Sequence, residues 1–179
     1  MKRVATAAHA PDSEPNTETV GDPIMSFRIQ GLAAENFEHL FALSDEALTR
    51  LGAVRRTADD RTPGYPCRVS LTDSRPGDEL LLLNYEHLPV ASPYRMRFAI
   101  YVRKDEKTYD KIDEVPDQLR TRTLAVRAFD AKGMMLGHEL VEGRDLERAI
   151  ERLFRAADAE YLHVHFAAPG CYAARVLRA

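Results

Sequence analysis

The chain has no tryptophan, only two cysteines in 179 residues, and no apolar run of membrane length. Cys67 and Cys171 are too few for the disulfide framework of a small secreted domain, and they lack the CxxC spacing of a structural zinc site. A helix needs roughly 18 apolar residues to cross a bilayer. The longest clear run here is Leu80, Leu81, Leu82 and Leu83, so no membrane partner is expected. An excess of one charge is also missing. Lys and Arg total 25 against 28 Asp and Glu, a formal net of −3, whereas a nucleic-acid binder normally carries a basic surplus. No Gly-x-Ser-x-Gly elbow, His-Glu-x-x-His pair or phosphate loop occurs. The start, "MKRVATAAHA", holds no apolar segment before Pro11 and is a poor secretory signal. A reduced, cytoplasmic compartment is the default expectation.

What remains is a chain that is 45% hydrophobic and 30% charged, long enough for one well-packed core. Residues 1–24 are rich in Pro, Ser, Thr and acids with little to bury, which predicts a disordered leader. A second methionine, Met25, stands before the first patterned segment, so a single domain is expected over 25–179.

In "SFRIQGL" apolar and polar residues alternate as in a short strand. A helical pair follows. Phe37, Leu40 and Phe41 share a face of the first helix. Ser44 has the character of an N-cap for the second, with Asp45 and Glu46 in its first turn and Gly52 closing it. "CRVSLT", "ELLLLNYEH" and "RFAIYVR" read as strands, the first two joined by a turn at Pro76 and Gly77. "TLAVRAF" and "MMLGHELV" bracket "DAKG" as a hairpin, and "YLHVHFA" and "CYAARVL" bracket "APG" as another. Between these hairpins, "LERAIERLFRAADA" carries an apolar stripe of Leu146, Ala149, Ile150, Leu153, Phe154 and Ala157, with Asp145 able to cap it. The expected fold is α+β: a mostly antiparallel sheet, an N-terminal helical pair, and one long C-terminal amphipathic helix packed on the sheet.

The segments "TPGYPCRVSLTDSRPGDELLLLNYEH", "SPYR" leading to "IYVR", "LRTRTLAVRAFDAKGMM", "VEG" and "HVHFAAPGCYAARV" together resemble a bacterial family called domain of unknown function 1203. The likeness spans 25–179. It implies a small bacterial protein and no activity, cofactor or catalytic residue.

Candidate site residues come from alternation. In an extended "CRVSL", Cys67, Val69 and Leu71 share one face while Arg68 and Ser70 share the other. Cys67 is then read first as a core residue, with a catalytic nucleophile as the lesser alternative, and Arg68 points away from it. A four-residue loop in "FAAPGC" would set Phe166 opposite Cys171 and His165 opposite Tyr172. Leu162, Val164, Phe166 and Cys171 would line one face; Tyr161, His163, His165 and Tyr172 would line the other. His-x-His on a strand can chelate zinc, iron or copper. No third ligand continues the pattern in sequence, so a metal is not favoured and no cofactor is required. His163 and His165 are instead the candidates for acid–base or hydrogen-bonding work. Tyr65, Arg68, Tyr94 and Arg95 recur beside prolines and could hold an anion in stiff loops. His87, beside Glu86, either lines the same end of the sheet as the "SPYR" loop or caps a turn.

The favoured function is binding of a small polar or anionic molecule in a Tyr/Arg/His pocket. A small enzyme using His163 and His165, with or without a metal, is the alternative, and a dimerising interaction domain, such as a homodimer, is a second. Binding is preferred because no acid–base or nucleophile constellation can be assembled from spacing alone.

Overall fold

Nine strands in two antiparallel sheets form the framework of the described structure, which in this computed structural model covers residues 25–179. The expected leader at 1–24 lies outside the described residues. The strands are β1 (Phe27–Gln30), β2 (Ala53–Thr57), β3 (Glu79–Leu88), β4 (Met96–Arg103), β5 (Asp110–Ile112), β6 (Thr123–Phe129), β7 (Met135–Glu142), β8 (Tyr161–Phe166) and β9 (Tyr172–Arg178). A six-stranded sheet has the order β5-β1-β9-β8-β6-β7, and a three-stranded sheet the order β2-β3-β4. Three short helices accompany them: α1 (Asp45–Arg50), α2 (Asp117–Arg120) and α3 (Leu146–Phe154).

The α+β expectation is overturned by this layout. Helices are few and short, and there are two sheets where one was anticipated. The first member of the N-terminal helical pair is two 3-10 turns, Ala34–Asn36 and Glu38–Ala42. The second, α1, has six residues and is capped as its sequence indicates, with Ser44 Oγ accepting from the Ala47 amide at 3.3 Å. The long C-terminal helix is only nine residues, α3. Its end at Phe154 is capped by Arg178, on β9, which donates to the Phe154 carbonyl at 2.6 Å and to the Ala156 carbonyl at 3.2 Å. A cation on the last carbonyls stabilises a helix C-terminus. Ala157, assigned to the stripe by periodicity, is exposed beyond that end.

Turn chemistry places the strands that matter here. Asp130 Oδ1 accepts the Lys132 and Met134 amides, both at 2.8 Å, and Gly133 takes φ +75°, closing the β6–β7 hairpin. In the β8–β9 hairpin the Gly170 amide donates to the Phe166 carbonyl at 2.9 Å, and the Phe166 amide to Cys171 at 3.0 Å. Gly170 has φ +75°. His165 therefore faces Tyr172, as the four-residue loop predicts.

"CRVSLT" is not a strand. Cys67 forms one isolated bridge to Tyr101, and the chain then turns sharply, with Leu71 at φ +52°. Cys67, Val69 and Leu71 are all buried, but so is Arg68. A tight turn does not hold alternate side chains on opposite faces, which is why the extended reading misplaced Arg68.

Two apolar layers result. Helix α3 lays Leu146, Ala149, Ile150 and Phe154 on Leu124, Val126, Leu162, Val164 and Val176 of the six-stranded sheet. The N-terminal turns and α1 cover Leu81, Leu83, Ile100 and Val102 of the three-stranded sheet through Phe37, Leu40 and Leu48. No helix among the described residues is long and apolar enough to cross a membrane.

Candidate metal centre

Strand β8 is buried along its whole length. Its even-numbered residues, Leu162, Val164 and Phe166, enter the α3 layer. Its odd-numbered residues, Tyr161, His163 and His165, face the opposite way, where the end of β3 meets them. There His87 packs against both histidines, with ring centroids 5.9 Å from His163 and 5.4 Å from His165. Tyr172 stacks on His87 at 4.8 Å and meets His163 edge-on at 5.0 Å. The three imidazoles are buried, with exposures of 8%, 3% and 1% for His87, His163 and His165. Each offers a ring nitrogen, and these three atoms lie within 4.8 Å of one another.

The hydrogen bonding of this cluster is incomplete. His165 Nδ1 lies 3.2 Å from the Gly170 carbonyl, which is accounted for by the hairpin turn. His163 Nδ1 has no partner, and neither Nδ1 nor Nε2 of His87 has one. A neutral imidazole always carries one N–H donor and one acceptor, and leaving such groups unpaired in the interior costs about 1–3 kcal/mol each. By hydrogen-bond geometry neither ring nitrogen of His87 is satisfied, although the Tyr85 backbone lies near enough to oppose slightly the lowering of its pKa.

Burial sets the charge state. It pulls His87 down to about 4 and His165 to about 3. Burial, then the neighbouring His165 and His87, hold His163 well below its ordinary 6.5. All three are neutral at physiological pH, with lone pairs free. Burial also raises the Tyr172 phenol, so it stays protonated. Neutral, desolvated imidazoles are the form a transition metal requires. A tetrahedral ion with bonds of about 2.0–2.1 Å holds its nitrogens about 3.4 Å apart, so metal binding would draw these three atoms together from their present separations of up to 4.8 Å.

The other candidate residues lie away from the histidine cluster and do not form one pocket. Tyr65 and Arg68 line a separate 520 Å³ cavity with Leu82, Tyr101, Phe166 and Cys171. Tyr65 donates to Asp59 at 3.1 Å and packs on Tyr101 at 4.7 Å. The Arg68 guanidinium donates to the Tyr172 carbonyl at 2.9 Å, to the Pro66 carbonyl, and to Cys171 Sγ at 2.9 Å. Burial lowers the Arg68 pKa, and the Cys171 sulfur opposes that shift. Arg68 thus ties the 66–72 turn to the hairpin that presents His165 and Tyr172. Tyr94 and Arg95 join neither place: Tyr94 meets Phe129 edge-on at 6.2 Å, and Arg95 pairs with Glu86 at 2.5 Å on the surface. Cys67 is fully buried in the layer beneath the three-stranded sheet. The sequence signal for His87 was its place at the end of an apolar strand, which does not reveal which strand of the other sheet it meets.

A family model described as protein of unknown function (DUF1203) matches residues 64–178, more than half of the chain, and the chain belongs to that family. No curated protein and no solved structure matches it.

Proposed function

We propose that this DUF1203 member is a transition-metal-binding domain, with zinc the first candidate, in which His87, His163 and His165 are the ligands. The observation that carries the reading is His87, a buried imidazole with both nitrogens unsatisfied beside two more neutral imidazoles. An all-imidazole set without carboxylate suits zinc, copper, nickel or iron rather than magnesium or calcium. Three protein ligands leave a coordination position open. A zinc ion held by these residues would supply Lewis-acid activation of a molecule in that position, the chemistry of metal-assisted hydrolysis or hydration. Tyr172, stacked on His87, would fix that ring's orientation. Two free, buried cysteines fit a reducing compartment such as the cytoplasm.

The test is metal analysis of protein purified without a tag and reconstituted with Zn²⁺ or Co²⁺. About one ion per chain is expected for the wild type, and almost none after His163→Ala with His165→Ala. Failure of the wild type to take up either ion refutes the reading.

The 520 Å³ cavity favours a second reading, a binding site for a largely apolar molecule. Its walls are apolar, with Arg68 and Arg122 each stacked on the Phe166 ring, at 5.0 and 5.2 Å. The anionic dye 1-anilinonaphthalene-8-sulfonate should bind the native protein there and be lost from Ala99→Trp, which fills the cavity. Dye binding unaffected by that substitution removes this reading.

A further inference from the structure

His163 sits in the middle of a row. In the strand register Arg127 of β6 lies directly opposite it on one side, and Arg175 of β9 directly opposite on the other. Directly paired residues in antiparallel strands project from the same face, so two guanidinium groups flank the central imidazole. Neither is neutralised. The one polar side-chain contact of Arg127 among the described residues is to Met96 Sδ at 3.6 Å. Arg175 forms no hydrogen bond or ion pair among them, and lies over the Tyr161 ring at 4.4 Å. Elsewhere arginines pair readily: Arg28, Arg55, Arg103, Arg122 and Arg152 all reach carboxylates. Asp130, whose charge is felt at Tyr161, has its Oδ1 engaged by two amides of its own turn and makes no ion pair with either arginine.

A divalent ion on three neutral imidazoles would add two further positive charges to this row. Among the described residues no carboxylate contacts either arginine or any of the three histidines, so the protein does not compensate that charge itself. Like charges beside a buried site repel, Arg127 more than the solvent-exposed Arg175. An anion binding beside the metal would relieve this repulsion. An arginine fork is shaped to bind a carboxylate through two parallel hydrogen bonds. Arg127 is half-buried and Arg175 reaches solvent, so the buried imidazole of His163 lies between two arginines that are each partly or fully accessible.

Resting on the metal reading above, we infer that the centre takes its metal together with a small carboxylate. One carboxylate oxygen occupies the open metal position, and Arg127, assisted by Arg175, holds the anion against it.

Co²⁺ makes both steps visible, because its visible absorption reports the ligand set. Acetate is titrated into Co²⁺-loaded protein at constant ionic strength in perchlorate. The wild-type spectrum should shift saturably. Arg127→Gln should weaken acetate binding about tenfold and Arg175→Gln about threefold, with Arg127→Lys between wild type and Arg127→Gln. Without acetate, Arg127→Gln should bind Co²⁺ about threefold more tightly, since a repelling charge is gone. Those opposite signs separate a ligand-holding arginine from a structural one, whose loss would weaken both. Unchanged or absent acetate binding in a protein that still loads Co²⁺ overturns the inference and leaves the metal reading standing. No Co²⁺ uptake by the wild type defeats the metal reading itself.

Discussion

The two faces of the β8–β9 hairpin are buried alike and built differently. On the α3 side, Leu162, Val164, Phe166 and Cys171 fill an apolar layer in which every side chain has apolar neighbours. On the other side, His163, His165 and Tyr172 meet His87 in a layer of similar burial that contains unsatisfied nitrogens. The first arrangement stabilises the fold. The second lowers stability relative to an apolar layer of the same shape, because neutral imidazoles lose water without regaining hydrogen bonds. Burial alone therefore does not identify a core. The satisfaction of its polar atoms separates packing from a site.

That contrast can be broken in several ways. The largest expected effect is on metal affinity. His87→Phe keeps a flat ring against Tyr172 but removes a ligand, and should weaken Zn²⁺ binding at least ~100-fold by competition with a chromophoric chelator, an effect of about 3 kcal/mol or more. In the same variant the metal-free protein should lose less than about 1 kcal/mol in urea unfolding, or gain stability, since two orphaned polar atoms disappear. A loss of several kcal/mol would make His87 a packing residue and erase the distinction. On the apolar face the order reverses. Leu162→Ala should cost about 3 kcal/mol in unfolding and leave one metal per chain.

Acid should act on the polar face first. Folding lowers the imidazole pKa values, so below the ordinary 6.5 the unfolded chain binds more protons than the native one. Stability of the metal-free protein should be fully present above about pH 6.5 and fall as the pH drops toward about 4 for His87 and about 3 for His165. Each histidine contributes a slope of up to about 1.4 kcal/mol per pH unit. Urea titrations at pH 7, 6 and 5 should show this slope, reduced by about one proton in His87→Phe. An identical slope in that variant would mean His87 titrates normally. The smallest effect belongs to the surface: Arg95→Ala breaks an exposed pair with Glu86 and should cost less than about 0.5 kcal/mol, with metal affinity unchanged.

Much of this contrast was legible before any coordinates. Strand alternation and the length of the "FAAPGC" loop assign His163, His165 and Tyr172 to one face and Leu162, Val164 and Phe166 to the other, as the register has it. The short-range signals also held at Ser44 and at the "DAKG" turn. Two others failed for physical reasons. "CRVSLT" has strand composition, yet Leu71 adopts a positive φ and the segment closes on itself, turning Arg68 inward to the Tyr172 carbonyl. The periodicity of α3 continues past Phe154, but Arg178, remote in sequence, takes up the carbonyls at that point.

The amino-acid sequence by itself determined local things: which residues alternate on a strand, where the chain reverses, and that two histidines share a face. These depend on backbone sterics and neighbours a few positions away. Only the tertiary structure decided that the chain divides into two sheets, that His87 from one completes the histidine pair of the other, and that Arg127 and Arg175 stand beside them without acids. Those outcomes depend on contacts between residues as distant as His87 and His163, and no local periodicity encodes which strand end meets which face.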